Sequence, residues 1–364
     1  MNNVLILNRR CIKHPQKGGA EIYTYELARA LTEKDVRVEW FSSNSGNLAD
    51  EEEIDGIKFI RKGNELTAHF YGFLYALKKK GWFIIDEFNG IGFFTFFMNN
   101  SMLLIHQLYD NFWTAELGLK GYPFKFFEKI LLALYKNRPA ITVSDSTAED
   151  LKKLGFKDIT IIHNGLDILP LDEVPEKEKT LTLIYLGRFK KTKNPEDAIK
   201  AFIFIKEMFS DARLWLVGDG PLYNSLKDRY GAVEGLYFRG YLHDTQKYEH
   251  LGKAHFLLVP SIREGWGQVV IQANAMGTPV IGYNVAGLKD SIRDGETGVR
   301  VTDYHKMSSR ILEIWGDPVR YNLMCLQALQ WARNFSWGKT RKAFLNYLFE
   351  KAILNENAHS NTDL

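Results

Sequence analysis

Short apolar runs alternate with longer stretches that carry polar residues on one side through the first half of the chain. The apolar runs predict buried strands at 4–7, 36–41, 56–61, 83–86, 102–105, 140–143 and 159–162. The amphipathic stretches predict helices from 18 to about 31, near 65–79 and near 124–135. Strands that alternate with helices in this way indicate a doubly wound parallel sheet.

A second alternation follows a break. Residues 165–180 contain two prolines and a run of mixed charge, which predicts a linker between domains of residues 1–165 and 166–339. The second half predicts strands at 181–186, 214–217, 255–259 and 278–283, and helices at 195–209, near 304–315, at 318–334 and from 337 to about 354. Residues 355–364 are expected to fray.

The composition narrows the class of protein. The chain has 364 residues, 45% hydrophobic and 25% charged, as expected for a globular protein of two domains. A net charge of +3 is too small to indicate nucleic-acid binding. Cys11 and Cys325 do not suggest a disulfide framework, which favours a cytoplasmic location. We expect neither a signal peptide nor a membrane-spanning segment.

The segment 259–281 predicts a strand, a loop, a helix and a second strand. Glu264 lies at the tip of the loop, and Gly265 and Gly267 precede a helix that begins at Gln268. Unsatisfied amides at such a helix start attract anions, whereas Glu264 suits hydroxyls or a developing positive charge. Together these features predict a ligand with both phosphate and hydroxyls, such as a nucleotide sugar. The alternative is an ordinary strand-to-helix turn.

Five stretches with candidate chemistry stand in a fixed order. They are Gly18-Gly19-Ala20-Glu21, His106, the segment 187–193, Gly218-Asp219-Gly220-Pro221, and the segment 259–281. In this combination the chain resembles the family-4 retaining glycosyltransferases, also called glycosyltransferase group 1. The resemblance covers nearly the whole chain and is strongest from 186 to 301. It implies the GT-B architecture, α/β with two Rossmann-like doubly wound domains that face each other across a cleft.

The resemblance implies four catalytic residues. Arg188 and Lys193 match the family's Arg-x4-Lys and would stabilise the negative charge that grows on the leaving diphosphate. Glu264 and His106 would hold the donor sugar. For each of these residues the alternative is a structural or solvated role, and Lys190 and Lys191 in the same loop are expected to be solvated.

The resemblance also implies the donor-binding residues Gly18, Gly19, Gly218, Tyr241, Leu242, Gly265, Trp266, Gly267, Gln268, Val269 and Gln272. Gln272 departs from the family, which has a second Glu there on the ribose hydroxyls. An amide can bind these hydroxyls, but without charge assistance. Glu21 is expected either to contribute to the glycine loop or only to complement the helix dipole, and His163 is interpreted as a hinge residue.

The implied reaction transfers a hexose from a UDP- or GDP-sugar to an acceptor hydroxyl of a glycan or lipid-linked glycan. We find no convincing second carboxylate for a covalent route. The resemblance instead implies same-face attack, in which the leaving phosphate takes the acceptor proton. Because the sequence has no Asp-x-Asp pattern, we expect neither a metal nor another cofactor. The alternatives are a nucleotide-sugar epimerase of the same architecture and a non-catalytic paralogue that binds sugar nucleotides. A nicotinamide dehydrogenase is disfavoured because no Gly-x-Gly-x-x-Gly follows the first strand.

The acceptor side is less well defined by the sequence. The basic loop 9–17 either meets a phosphorylated acceptor or is simply solvated. The helix near 124–135 mixes aromatic residues with lysines, so it is either a peripheral membrane face or a core helix with a solvated back. Phe335-Ser336-Trp337 resembles the family's ending, which implies that the last helix, about 340–364, crosses back to the first domain.

Overall fold

The computed structural model describes residues 2–45 and 48–354; residues 355–364, expected to fray, lie outside this range. The first part of the chain forms eight strands, β1 (Asn3–Leu7), β2 (Arg37–Ser42), β3 (Glu51–Ile54), β4 (Ile57–Arg61), β5 (Phe83–Glu87), β6 (Ser101–Ile105), β7 (Ala140–Thr142) and β8 (Ile159–Ile161). Its helices are α1 (Gly19–Thr32), α2 (Ala68–Lys78), α3 (Asn111–Leu117), α4 (Gly121–Leu134) and α5 (Asp145–Lys153).

The remainder of the chain continues the alternation. Its strands are β9 (Thr182–Leu186), β10 (Arg213–Val217), β11 (Leu236–Gly240), β12 (Phe256–Val259), β13 (Val280–Tyr283) and β14 (Gly298–Val301). Its helices are α6 (Pro195–Met208), α7 (Tyr223–Tyr230), α8 (Asp244–Lys253), α9 (Gln268–Ala275), α10 (Leu288–Ser291), α11 (Tyr304–Trp315), α12 (Pro318–Ala332) and α13 (Trp337–Glu350).

The described residues divide into two compact units. The first unit holds 2–45, 48–110, 122–165 and 337–354, and the second holds 111–121 and 166–336. The change of unit after residue 165 falls where the sequence places a domain boundary. Residues 111–121 belong to the second unit, although the sequence assigns them to the first domain, and the last change of unit comes before Trp337 rather than near 340.

Each unit is built on one sheet. The order in the first sheet is β3-β4-β2-β1-β5-β6-β7-β8, parallel except for the β3–β4 pair, and the second sheet runs β11-β10-β9-β12-β13-β14 with parallel pairing throughout. The central strands read as continuous apolar runs because helices cover both faces of a parallel sheet. In β1, Val4 to Leu7 are fully buried. The prediction of two parallel-sheet α/β domains is confirmed.

The edge strand β3 is missing from the sequence-based prediction. Its residues Glu51 to Ile54 are mostly acidic and at least partly exposed, so they form no apolar run. A two-residue turn joins β3 to β4, with Asp55 and Gly56 both at positive φ. Such an Asp-Gly turn is a recognised hairpin signal, and it marks this hairpin in the sequence.

The last helix packs within the first unit, on α1. Phe344 and Leu348 are fully buried, and the Arg341 guanidinium pairs with Glu33 at 2.7 Å. The Thr340 hydroxyl donates to the His163 carbonyl at 2.9 Å. Helix α13 therefore closes the first unit, as the resemblance implies. Across residues 2–45 and 48–354, none of the helices has the length and apolar character that crossing a membrane requires.

Candidate functional site

The start of α9 lies where the strand β12 leads into a loop of the second unit. Gly267 is the N-cap and adopts a left-handed conformation with φ of 82°. It has no side chain to cap the helix, and a Cβ here would come within 2.9 Å of Leu288 Cδ2. Gln268 and Val269 lie in the first turn. Helix α9 therefore begins after a glycine, as the sequence predicts, and anion binding at this helix start stays a prediction.

Glu264 and Lys193 are brought together in the second unit. Their loops follow β12 and β9, which are neighbours in the sheet, and the Lys193 ammonium donates to Glu264 Oε1 in an ion pair. Glu264 is only 8% exposed, whereas the Lys193 side chain keeps 28% of its exposure. A buried carboxylate with a cation beside it therefore lies at the carboxyl ends of these parallel strands, where open α/β sheets bind ligands.

Gly287 supports this arrangement, and the sequence analysis missed it. Its φ is 79°, and a Cβ at this position would overlap the carbonyl oxygen of Glu264. The Glu264 amide also donates to the Ala286 carbonyl at 3.1 Å. The close approach of the two loops needs a residue without a side chain at 287. The spacing of Gly287 from Glu264 along the chain gives no sign of this contact.

The loop that carries Arg188 is fixed by backbone bonds to the loop that contains Gly218. Gly187 donates to the Val217 carbonyl at 3.1 Å, and Phe189 donates to the Asp219 carbonyl at 2.9 Å. A Cβ at Gly218, whose φ is 127°, would overlap the Gly187 carbonyl oxygen. Gly218 therefore has a packing role that does not depend on a ligand. Arg188 itself is exposed at the end of β9.

Lys190 is less exposed to solvent than the sequence predicts, whereas Lys191 is exposed as predicted. The Lys190 side chain is half-buried, with Nζ 5.2 Å from the centroid of the Phe112 ring. Burial, and then the neighbouring Lys193 charge, lower the pKa of Lys190 to about 8. The prediction that Lys190 is solvated is wrong because α3, a segment distant in sequence, covers it.

Helix α3 makes a second contact with the same loop. The Thr192 amide donates to Glu116 Oε1 at 3.3 Å. Glu116 also acts on the ammonium of Lys190, raising its pKa against the larger effect of burial. The Arg188–Lys193 loop is thus bounded by the Gly218 loop and by α3.

Four of the predicted donor-binding residues lie in different environments. Tyr241 is 72% exposed and meets the His243 ring edge-on at 5.6 Å, and Leu242 is half-buried. Gln272 is 7% exposed and lies beside the hydroxyl of Tyr248, whose pKa is raised by burial. Trp266 is buried and packs on the Phe335 ring at 5.2 Å, so a contact with a donor would come from its backbone.

In the first unit, Gly18 and Gly19 begin α1. The Gly18 amide donates to Glu21 Oε2 at 2.6 Å, so Glu21 caps its own helix. Burial, and then the charge of Glu87, raise the pKa of Glu21. A Cβ at Gly19 would meet nothing within 4 Å, so packing does not explain this glycine.

His106 also lies in the first unit, at the end of β6. Its Nε2 is 3.4 Å from Oε1 of Glu87, and the Tyr23 ring meets its imidazole edge-on at 5.1 Å. Glu87 is fully buried at the end of β5 and accepts from Asn8 at 2.5 Å and from the Thr24 hydroxyl at 2.6 Å. Sequence reasoning missed this carboxylate. Its position directly after an apolar strand is the signal that could have found it.

The predicted residues therefore fall into two groups. Gly18, Gly19 and His106 belong to the first unit, and the remaining predicted residues belong to the second. Among residues 2–45 and 48–354, no three His, Cys, Asp or Glu side chains are placed to hold a metal ion.

Two family descriptions match successive parts of the chain. Residues 17–168 match "Glycosyltransferase Family 4", and residues 171–324 match "Glycosyl transferases group 1". The chain belongs to the family-4, group 1 glycosyltransferases. The family assignment made from the sequence motifs is confirmed.

Two curated relatives match about half of the chain. Glycogen synthase of Mycobacterium tuberculosis is 28% identical over 188 residues, which are 49% of this chain and 45% of that protein. D-inositol 3-phosphate glycosyltransferase of Corynebacterium glutamicum is 29% identical over 194 residues, or 50% of this chain and 46% of that protein. The chain thus spans less than half the length of these relatives.

Solved structures resemble the chain over nearly its full length. Sucrose-phosphate synthase from Thermosynechococcus elongatus has a TM-score of 0.78 at 19% identity, covering 97% of this chain and 99% of that one. Anabaena HepE in complex with UDP-glucose has a TM-score of 0.71 at 15% identity, covering 96% and 99%. WaaG, a glycosyltransferase of lipopolysaccharide biosynthesis, has a TM-score of 0.73 at 15% identity, covering 94% and 98%. These similarities confirm the predicted GT-B fold.

Proposed function

We propose that the protein transfers a hexose from a UDP- or GDP-sugar to a hydroxyl of a glycan or lipid-linked glycan, with retention of the anomeric configuration. The observation that carries the proposal is the pairing of Lys193 with buried Glu264 beside the glycine-started helix α9. Family membership supports transfer as the reaction. Anabaena HepE, which shares the fold, forms a complex with UDP-glucose, and this makes UDP-sugars the first donors to test.

In this proposal the second unit stabilises the leaving nucleoside diphosphate. Lys193 and Arg188 supply positive charge, and the first amides of α9 supply hydrogen bonds to the phosphate. The Lys193 ammonium pairs with the Glu264 carboxylate. When the diphosphate binds, Lys193 exchanges part of this pairing for a phosphate oxygen, and Glu264 then has acceptor capacity for the sugar hydroxyls.

The retained configuration follows from attack on the same face as the leaving group. The bond between the anomeric carbon and the phosphate oxygen breaks, and the acceptor oxygen bonds to that carbon. The acceptor proton moves to the departing phosphate oxygen. A covalent route would use a nucleophilic carboxylate, and the proposal needs none because the acceptor oxygen attacks the anomeric carbon directly. We also propose that His106 binds the donor sugar.

Metal independence is part of the proposal because Arg188 and Lys193 take the place of a divalent cation on the diphosphate. Turnover should therefore persist in excess EDTA. Loss of activity in EDTA that Mg²⁺ or Mn²⁺ restores would contradict this assignment. We also propose a cytoplasmic location, because Cys11 and Cys325 are both buried free thiols, as is usual in a reducing compartment.

A thermal-shift screen of UDP- and GDP-sugars tests the proposal first, because a ligand that binds the folded state raises the unfolding temperature by mass action. The donor that produces the largest shift is then incubated with glycan and lipid-linked acceptors. We expect donor-dependent transfer. Conversion of the donor to an epimer without acceptor would support the epimerase alternative, and binding without turnover across the acceptors would support a non-catalytic paralogue. No shift with any nucleotide sugar would reject the proposal.

A further inference from the structure

Two helices of the first unit leave apolar side chains exposed on the same side of its sheet. Helix α2 joins β4 to β5, and α4 lies between β6 and β7. Both connections run in the same direction across the sheet. Right-handed crossovers in one direction place their helices on one face of a sheet. Any extended surface formed by α2 and α4 therefore belongs to this single face.

Helix α4 has an exposed apolar face of unusual width. Tyr122, Phe126, Phe127, Ile130 and Leu134 are each 43% to 65% exposed. At 100° per residue, these positions span roughly 140° of the helix circumference. The opposite side meets the core through Leu132, which is fully buried. The core-helix alternative therefore accounts for one side of α4 and leaves its aromatic side unexplained.

Helix α2 repeats the pattern on a smaller scale. Phe70, Leu74 and Leu77 follow one another at helical spacing and are 59%, 39% and 44% exposed, and Leu66 in the preceding turn is 79% exposed. Nothing in the sequence analysis assigned a role to this stripe. Its apolar residues have the same orientation relative to the sheet as those of α4, since both helices leave their outer side to solvent.

Aromatic contacts connect the two helices. Phe73 of α2 meets the Phe97 ring at 6.0 Å, and Phe97 meets Phe96 at 5.6 Å. Phe96 in turn meets Tyr135, just after α4, at 5.6 Å. Phe97 is itself 51% exposed. These contacts link the two helices on the side of the sheet where both lie, and we call the exposed residues of α2, Phe97 and α4 the α2–α4 face.

The charge of this face is positive. Segments 66–80 and 122–136 contain six lysines, at 78, 79, 80, 125, 129 and 136, and a single carboxylate, Glu128. Glu128 is buried and accepts from the amides of Tyr109 and Asp110. Asp110 pairs with Lys125 at 2.8 Å and with Lys129 at 3.7 Å, which neutralises part of the charge at α4. Lys79 pairs with Glu39 at 2.5 Å, while Lys78 and Lys136 are exposed.

We propose that the α2–α4 face binds the anionic surface of a phospholipid bilayer. Exposed aromatic and aliphatic side chains bordered by lysines suit an interface in which the apolar groups enter the acyl boundary and the ammonium groups meet lipid phosphates. A second copy of this chain is disfavoured as the occupant, because self-association would bring lysines of the two copies together. The proposal goes beyond sugar transfer, and the face includes none of the residues assigned to that reaction.

Vesicle sedimentation of the protein tests the proposal. We expect it to sediment at low salt with vesicles of mixed phosphatidylcholine and phosphatidylglycerol, to bind phosphatidylcholine vesicles at least ~10-fold more weakly, and to be released by high salt. The double variant Phe126→Ser/Ile130→Ser should weaken binding at least ~10-fold. Its matched control is Val319→Ser/Leu323→Ser on α12, whose residues are 80% and 54% exposed but lie in the second unit. That control should bind as the wild type does.

A cysteine-labelled variant gives a readout that does not depend on loss of binding. Cys11 and Cys325 are fully buried, so a polarity-sensitive thiol dye on Phe126→Cys would report on α4 alone. We expect its emission to shift to the blue on anionic vesicles, whereas a dye on Leu323→Cys should not respond.

Three outcomes would overturn the proposal. The wild type could fail to sediment with anionic vesicles at low salt, or both double variants could lose binding equally. The third is a lipid-free dimer that Phe126→Ser/Ile130→Ser dissociates, which would identify a second copy as the occupant. Circular dichroism of each variant confirms that the comparison is made between folded proteins.

Discussion

At the scale of single residues, the ion pair between Lys193 and Glu264 links the two loops that the proposed reaction uses most. Its members come from positions 71 apart in the sequence and meet because β9 and β12 are neighbours. An exposed ion pair contributes little to stability. The Lys193–Glu264 pair is half-buried. We expect it to matter less for the free energy of unfolding than for the positions of the two side chains.

Replacing Lys193 with Ala should lower kcat at least ~100-fold, because one charge-stabilising group contributes roughly 3 kcal/mol to the transition state. Folding should remain intact, since the Lys193 side chain is partly exposed. Steady-state kinetics with the identified donor measures the effect. The control is Lys191→Ala in the same loop, whose side chain is exposed. Turnover by Lys193→Ala within a factor of two of the wild type would reject the assignment.

Replacing Gln272 with Glu should lower the dissociation constant for nucleoside diphosphate several-fold and leave the sugar preference unchanged. A carboxylate on a ribose hydroxyl gains about 1.5–3 kcal/mol, against roughly 1 kcal/mol for a neutral group. Repulsion from the diphosphate and the burial of Gln272 oppose this gain, and we expect the hydrogen bond to dominate. Calorimetric titration compares both proteins, with Gln246→Glu on the exposed side of α8 as control. Equal or weaker binding by Gln272→Glu would mean that the amide is adapted to its site.

Among single residues, those in local motifs could be predicted from the sequence, whereas those defined by distant contacts could not. Arg188, Lys193 and Glu264 could be named because each matches a short local motif of the family that the chain resembles. The position of Glu87 after an apolar run could have marked it as a candidate, but its contacts could not be predicted, because its partners Asn8 and Thr24 are scattered along the chain. The burial of Lys190 could not be predicted either, because it depends on α3, which is distant in sequence.

At the scale of elements, the loops around the proposed site hold one another through backbone contacts. Gly287 lies close to the backbone of the loop after β12, and Gly218 lies close to the backbone of the loop after β9. Helix α3 closes the remaining side through Phe112 and Glu116. Parallel strands were predictable because burial on both faces makes them apolar throughout. The docking of α3 was not predictable, because it depends on a contact between distant parts of the chain.

Replacing Gly287 with Ala should reduce both stability and turnover. The left-handed backbone costs about 1–3 kcal/mol for a residue with a side chain, and the new Cβ would displace the loop that carries Glu264. The matched control is Gly295→Ala, because Gly295 has φ of 80° but open space around its Cβ position. That variant should lose stability and keep its turnover. Urea unfolding and steady-state kinetics separate the two effects, and equal turnover losses would contradict the proposed role of Gly287.

At the scale of the whole molecule, each unit contains a buried histidine that resists protonation. Burial, and then the charge of Arg9, lower the pKa of His69 in the first unit to about 4. Burial, and then the charge of Lys177, lower the pKa of His255 in the second unit to about 4. The imidazole of His255 accepts from the Thr182 amide at 3.0 Å, so its Nδ1 must remain unprotonated to keep this bond.

Both units should lose stability as the pH falls from 6.5 towards 4. In this window an unfolded histidine binds a proton while the folded one does not, so acid favours the unfolded state. Across this window each histidine lowers the free energy of unfolding by about 3 kcal/mol. Urea unfolding at a series of pH values measures the slope. His255→Gln should make this slope shallower, while a substitution of exposed His243 should not; an unchanged slope in His255→Gln would contradict the assignment.

The place of α13 has a consequence for the order in which the protein is made. Residues 337–350 fill the first unit, where Phe344 and Leu348 are buried, yet they are translated after the whole second unit. Domains generally fold as units while the chain leaves the ribosome. The second unit can therefore complete its packing first. The first unit, although it emerges earlier, must wait with its α13-binding surface uncovered until residues 337–350 have been synthesised.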